Sequence, residues 1–453
     1  MRTINKLFYS IALVSITFLT SCVTSDLEPS LDQEKELDGN IQTDADLFGL
    51  LKGALNRMTS STYYGRDFII NDEVRTENTF ANGTSGRFTT QASFDYNASS
   101  NIGIWTQAYR VISSANLIIN TDVTTLTGDI EFAKHLQGEA LALRALAHFD
   151  LIQNYGQQYV GGDLGIPYVT EFKGNEESPA RLTVNEVKSL IYADLDAAYA
   201  AMNATYYDDS KEFISKMTAK ALESKVATYF GDWDRAKSAS EAVINSGLYS
   251  IISAGDYVSS FAQDGSSNSI FELAFSDVDN EGINGLGYIY RGDSYGDIEV
   301  LDNVLDLYEE GDVRADILGY ENGLLRNMGK YPELNGYDNV NVIRYEEVIL
   351  NYAEALFETG GDAVTQLNLL TAKRGAAAYT SVTKDDIIKE RRKELIFEGF
   401  VFDDLKRTGK GVNKIDAKQN ILESIPAGDH RMTFPIPVAE LDANSNMVQN
   451  RNY

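Results

Sequence analysis

The sequence predicts a mainly α protein: a tetratricopeptide-like scaffold of helical hairpins that carries long irregular, loop-rich insertions. Three observations predict it. Apolar residues recur at helical spacing along most of the chain. Two helix–turn–helix stretches resemble each other and place small residues where their helices would meet. Two Gly-, Asn- and Tyr-rich stretches, near 63–101 and 276–337, interrupt the pattern with no period of their own.

Taken in order, the chain opens with Arg2 and Lys6 and no acidic residue, followed by an apolar run over 7–19 broken only by Ser10, Ser15 and Thr17. That run falls short of the ~18–20 residues a permanent membrane helix needs, so residues 1–21 read as a secretory signal peptide. It ends Leu19-Thr20-Ser21-Cys22, which resembles a bacterial lipobox, where the Cys thiol is acylated before cleavage. Cys22 is the one cysteine among 453 residues, so its lipidation leaves no disulfide and no Cys-based metal site. The fold must then rest on its own core. Residues 22–40 are polar and acidic and read as a lipid-anchored tether, and 41–453 as a single domain. No later stretch is long and apolar enough to span a bilayer, which makes the expected membrane attachment one of lipid only.

Within 41–453, the segment 46–58 sets Leu47, Leu50, Leu51, Ala54 and Leu55 on one helical face. Segment 105–120 does the same with Ala108, Val111, Ile112, Ala115, Leu117 and Ile119. A long Ala- and Leu-rich helix over 132–155 stops at Gly156. Thr183 and Glu186 have the spacing of a capping box, in which hydroxyl and carboxylate satisfy orphan N–H groups, and a helix follows them. The two hairpins are 216–230 with 236–244, turning at Gly231-Asp232-Trp233, and 345–357 with 363–374, turning at Gly360-Gly361-Asp362. Ala219, Ala227, Ala236 and Ala239 in the first, and Ala353, Ala355 and Ala363 in the second, suit close helix contact.

Charge narrows the function. The formal net charge is −28, and loss of Arg2 and Lys6 with the signal makes the remainder more negative still. Nucleic acid needs a basic footprint and anionic lipid attracts only basic patches, so both are excluded as partners. Catalysis finds little support. Of three histidines, His135 and His148 lie in the long helix at a spacing unsuited to one face, and no HExxH run occurs. Gly161-Gly162-Asp163-Leu164-Gly165 lacks the flanking strand and helix of a phosphate loop. Glu390, Glu394 and Glu398 share a helix face with Arg391, Arg392 and Lys393 beside them, the pattern of an ion-pair lattice rather than of two acids across a cleft. The chain reads as a non-enzyme that needs no cofactor. Asp277, Asp279 and Glu281 followed by Gly282 imitate the start of a calcium loop, but Tyr288 stands where the bidentate Glu belongs, so they form a weak calcium candidate only.

Aromatic residues point to binding instead. The chain has 26 Tyr and only two Trp. Tyr288, Tyr290, Arg291 and Tyr295 cluster in one Gly-rich insertion; Tyr63, Tyr64, Phe80 and Phe88 cluster in the other, near Asp72, Arg75 and Asn82. Aromatic faces suit the C–H face of a sugar ring, and Asn, Asp and Arg suit its hydroxyls. Tyr288, Tyr290, Arg291, Tyr295, Asp72, Arg75 and Asn82 are therefore the expected ligand contacts.

Motifs on the scaffold carry a resemblance. Trp105, Tyr109, Ile112 and Ala115-Asn116 form one; Glu139-Ala140, Arg144-Ala145, Tyr155-Gly156 and Ile166-Pro167 form a second. Further on come Gly231-Asp232-Trp233 with Ala236, then Arg344, Glu347-Val348 and Ala353-Glu354-Ala355. Last come Glu390-Arg391-Arg392, Glu394-Leu395, Phe397-Glu398-Gly399, Asp404-Leu405 and Arg407, with Pro435-Ile436-Pro437, Gln449-Asn450 and Tyr453 at the end. In this order, from Cys22 to Tyr453, the chain resembles the SusD/RagB family of outer-membrane nutrient-binding lipoproteins of the Bacteroidetes. The resemblance implies a SusD-like helical core with a variable loop face, and a SusC-like TonB-dependent transporter as partner, over which the lipoprotein acts as a lid. It implies an oligosaccharide ligand, with a peptide as the alternative, and a lipid-anchored place on the outer membrane, at its extracellular face. Asp26 and Glu28 give a thin version of the acidic signal for surface export. The family's starch-binding prototype presents tryptophans to its glycan, whereas Trp105 and Trp233 here match scaffold positions, so any stacking platform must be Tyr or Phe.

Overall fold

Helical spacing becomes helix close to where the sequence places it. The structure is a computed structural model that describes residues 41–100, 102–171, 178–291 and 295–453; Cys22, the signal of 1–21 and the tether of 22–40 lie outside the described residues. Asp44–Met58 (α1) buries Leu47, Leu51, Ala54, Leu55 and Met58 on the predicted face. Asp67–Glu73 (α2), strand Thr79–Ala81 (β1) and the single turn Thr89–Ala92 (α3) follow. All three fall inside the stretch expected to be irregular. The α2 residues from Phe68 to Glu73 are buried, so this part of the insertion is scaffold.

Ile104–Ile119 (α4) and Ile130–Tyr155 (α5) come next, α5 capped by Asp129, whose carboxylate accepts from the N–H groups of Glu131 and Phe132. Val184–Ala201 (α6) opens with the predicted capping box: Glu186 accepts from the Thr183 N–H while Thr183 accepts from the Glu186 N–H. α5 lies between α4 and α6, and it is buried on nearly every side. That explains its lack of a polar stripe.

Lys216–Phe230 (α7) and Trp233–Ser246 (α8) form the first hairpin. The region after it holds strand Ser269–Leu273 (β2), the short helix Leu286–Tyr290 (α9), strands Ile298–Val300 (β3), Leu318–Glu321 (β4), Leu324–Asn327 (β5) and Val340–Arg344 (β6). Tyr345–Thr359 (α10) and Ala363–Arg374 (α11) form the second hairpin, and Lys384–Leu395 (α12), Val401–Arg407 (α13) and Val438–Ala443 (α14) complete the chain. The hairpins meet through Ala227, Ala236 and Ala355, with Tyr192 and Trp233 packed over them. Small residues allow that approach; the spacing predicts it within the first hairpin, between Ala227 and Ala236, and Ala355 of the second hairpin joins them. The strands pair antiparallel as β1 with β3, β2 with β6 and β4 with β5. No helix among the described residues is long and apolar enough to cross a membrane.

A buried ionic lattice joins the second hairpin to what precedes it. The Glu394 carboxylate accepts from Arg374 Nε and Nη2, both at 2.9 Å, and from Arg344 Nη1 at 2.8 Å. Arg344 also reaches Glu398, at 2.9 Å from both Nε and Nη2. Lys330 donates to Glu398 and to the carbonyls of Glu394 and Ile396, and Arg314 bridges Asp312 and Glu390 at 2.7 Å each. Burial alone would lift the Glu394 pKa, but Arg374 and Arg344 outweigh it and hold that carboxyl well below its usual range.

The expected lattice therefore exists, but its partners differ. Only Lys393, 3.0 Å from Glu390, pairs as its position beside the glutamates suggests. Arg391 turns to Asp404 and Arg392 to Asn78. Glu398 lies beyond the end of α12, where the chain turns through Phe397 at φ 71°.

Both helical histidines are structural. His148 stacks on Tyr168 at 3.7 Å, its Nδ1 bonded to the Arg144 carbonyl and its Nε2 accepting from the Val169 N–H. Burial pushes its pKa down to about 3. His135 Nδ1 accepts from the Asn203 N–H.

Two outcomes follow for stability. Glu394→Gln should cost about 3–5 kcal/mol in urea unfolding, because Arg344 and Arg374 lose a charged partner they share in the core. His148 is held neutral, so its contribution is complete above its ordinary value of 6.5 and is lost as pH falls towards 3. Burial raises Asp72, Glu73 and Asp150 to about 7, and those carboxyls act in the opposite sense over the same range. The stability of His148→Gln relative to the parent should thus rise by about 2 kcal/mol between pH 7.5 and pH 5, measured by chemical denaturation at both values.

Candidate functional site

The site is built on the β1–β3 pair. Its register sets Thr79 opposite Val300 and Ala81 opposite Ile298. The loop leaving β1 (82–88) therefore runs beside the segment that enters β3. Asn82 cements them: its N–H donates to the Asp297 carbonyl at 2.9 Å, and its Nδ2 to the Gly296 carbonyl and to Glu299 Oε1, both at 2.8 Å.

Asp297 is the buried anion at the centre of this junction. It accepts from Ser85 Oγ at 2.6 Å and from Arg87 Nε at 3.0 Å. Arg326 closes the other side, its Nη1 donating to the carbonyls of Tyr290, Gly296 and Ile298. Residue 296 favours glycine: φ is +48°, and a Cβ there would sit 2.8 Å from Arg326 Nη1.

On this base the Arg87 guanidinium lies 4.4 Å over the Tyr295 ring, and Tyr295 meets Tyr288 edge to face at 5.7 Å. Asn284 accepts from both Arg87 Nη1 and Arg66 Nη1, at 3.0 and 3.2 Å. Arg291 stands near, 3.5 Å from Glu321, with its Nε lacking a hydrogen-bond partner. Tyr288, Tyr295, Arg87 and Arg291 are each part-exposed. The result is a rim of ring faces and edges among fixed amide, guanidinium and carboxylate groups. Such a surface can pack against a ring's C–H face and exchange hydrogen bonds with its hydroxyls.

Of the residues expected as ligand contacts, Tyr288, Tyr295, Asn82 and Arg291 come together here. Three do not. Tyr290 is buried, stacked against Tyr331 at 6.3 Å and set edge-on to Phe397 at 5.6 Å, with its hydroxyl donating to the Phe397 carbonyl. Asp72 and Arg75 are buried and pair at 2.6 Å, the Arg75 guanidinium lying 4.0 Å from the Phe402 ring and 4.1 Å from the Phe434 ring. Tyr63 and Tyr64 donate to buried Asp150, and Phe80 and Phe88 are buried. Asp72 and Arg75 belong to the core because α2 and the residues that follow it are buried.

The calcium candidate is also dispersed. Asp279 Oδ2 accepts from Asn56 and Glu281 Oε1 from the Ser61 N–H, and Asp277 is exposed. Among the described residues no group of three or more His, Cys, Asp or Glu side chains could hold a metal ion.

Arg87, Asn284 and Asp297 escaped the sequence reading, since their roles arise from contacts across about 200 positions of chain. One local signal was readable: Asn322-Gly323, at φ 52° and 79°, makes the tight turn of the β4–β5 hairpin. That hairpin carries Glu321 and Tyr320, the latter 65% exposed.

Comparison with known proteins adds family relations. Residues 27–228 match a family profile described as starch-binding, associating with the outer membrane, and residues 322–453 match one described as SusD family. A SusD-like protein P2 of Formosa agariphila is 25% identical over 511 aligned positions, covering 96% of this chain and 98% of its own. The starch-binding protein SusD of Bacteroides thetaiotaomicron is 32% identical over 127 positions, 27% of this chain and 22% of its own. The crystal structure of a SusD superfamily protein from Bacteroides thetaiotaomicron superposes with a TM-score of 0.84 at 28% identity, covering 90% of this chain and 100% of its own.

The geometry separates surface from core by stability. Tyr290→Ala should cost about 3–5 kcal/mol as a large buried ring is lost, whereas Tyr288→Ala should shift unfolding by no more than about 1 kcal/mol. Equal losses in thermal denaturation would contradict this partition.

Proposed function

The chain belongs to the SusD/RagB family, and from that premise we propose that it is a non-catalytic binding lipoprotein that captures an oligosaccharide and delivers it to a SusC-like TonB-dependent transporter. Lipid on Cys22 would hold it to the outer membrane, facing outward. The capture surface in this reading is the rim of Tyr288, Tyr295, Arg87 and Asn284, with Asn82 and Arg291 beside it.

One observation carries the reading: the Arg87–Tyr295–Tyr288 cluster, cation over ring and ring edge to face, held by buried Asp297. Tyrosine rings with a guanidinium laid over one of them suit a polar ring with an apolar face. Their positions are set by the fold before any ligand arrives, so little ordering opposes binding. The described names of the matched profile and of the Bacteroides relative, both starch-binding, favour a glycan over other small ligands.

Calorimetry with neutral oligosaccharides on protein lacking residues 1–22 tests it. Tyr288→Ala and Tyr295→Ala should each weaken binding about tenfold, or about 1.4 kcal/mol, with thermal unfolding little changed. Retained affinity in both variants would remove the rim from consideration. New reducing ends released from a bound glycan by pure protein would overturn the non-catalytic reading.

A further inference from the structure

A second opening lies on the helical side, between α12, α13 and the segments around Glu77, Leu307 and Lys410. Its volume is about 560 Å³, within the roughly 300–1,000 Å³ of small-molecule sites. Ile388 and Leu405 give it an apolar wall, and Lys389, Arg392 and Lys410 give it positive charge.

The carboxylates on that wall are already engaged. Glu77 Oε1 accepts from the Asn413 backbone N–H and Nδ2, at 2.8 and 2.6 Å. Asp404 pairs with Arg391 and Arg407, and Asp385 with Lys410.

Arg392 stands apart from the other arginines of the lattice. Arg314, Arg344, Arg374 and Arg391 all meet carboxylates, yet Arg392, part-buried on the same helix, makes no ion pair among the described residues. Its Nε donates to Asn78 Oδ1 at 2.7 Å and its Nη2 to the Glu77 carbonyl at 3.4 Å, which leaves Nη1 uncommitted. Lys389, one helical turn back on the same face, makes no ion pair among the described residues either.

We propose that this groove is a second binding site, for an anionic saccharide whose charge is a uronate carboxylate or a sulfate ester; the saccharide part of the inference rests on the function proposed above. The planar fork of Arg392 matches either anion, and Lys389 adds a point charge one turn away. The apolar wall receives the sugar's C–H face. A chain of net charge −28 repels anions at long range. Retention therefore depends on local pairing in the groove.

Calorimetry on the full chain in detergent tests this with three oligosaccharides of equal length: a galacturonate, a sulfated galactan and a neutral galactan. At least one acidic ligand should bind about tenfold tighter than the neutral one. Arg392→Gln should abolish that preference, and Arg392→Lys should restore part of it. Because Arg392 also holds Asn78, exposed Lys389→Gln serves as the variant free of folding effects, with a loss of about threefold expected. A Tyr288→Ala/Tyr295→Ala pair should leave the acidic preference intact. Neutral and acidic ligands bound equally would overturn the groove while leaving the tyrosine rim standing. An acidic preference lost only in the tyrosine pair would also overturn it, by moving the anion to the rim. Absence of any saccharide binding would overturn both readings.

Discussion

Glu394 is the point on which this structure turns. It sits without solvent contact between Arg344 and Arg374, each held by charged hydrogen bonds. Through them the end of β6, α11 and α12 are tied together. Taking these ions out of water costs several kcal/mol each, and the cost is offset only when every partner is in place. The lattice is therefore all or nothing.

The same network reaches the candidate site. Arg344 shares Glu398 with Lys330, and the next residue, Tyr331, stacks on Tyr290 at the end of α9. Tyr290 is followed by Arg291 and the segment that leads to Tyr295. Tyr288, on the same short helix as Tyr290, is thereby linked to the buried lattice. Arg326 and Asp297 add local pins on the strand side, so the rim's rings and amides are placed by buried charge rather than by each other.

Legibility differed by kind of feature. Helix faces, the capping box at Thr183 and the two alanine-lined hairpins were readable, because each depends on neighbours within a turn or two. The lattice was readable in kind but not in pairing. Glu390, Glu394 and Glu398 announce charge that must be balanced, yet their arginines arrive from positions 314, 344 and 374. Aromatic clustering misled for a related reason. Tyr63, Tyr64 and Tyr290 are as dense in sequence as Tyr288 and Tyr295, but their rings pack inward, with hydroxyls bonded to Asp150 and the Phe397 carbonyl. Tyrosine serves both places, since a buried hydroxyl needs only one acceptor, as Asp150 supplies for Tyr63.

By itself, then, the sequence determined the mainly α class, the hairpin order and the kind of chemistry available. Those follow from local periodicity, propensity and composition. Tertiary structure alone decided which tyrosines face solvent, which arginines neutralise the buried glutamates, and that Arg392 makes no ion pair among the described residues. Such outcomes depend on contacts between separate segments, from 20 residues apart for Arg374 and Glu394 to 314 for Arg392 and Asn78, and no spacing within a single segment encodes them.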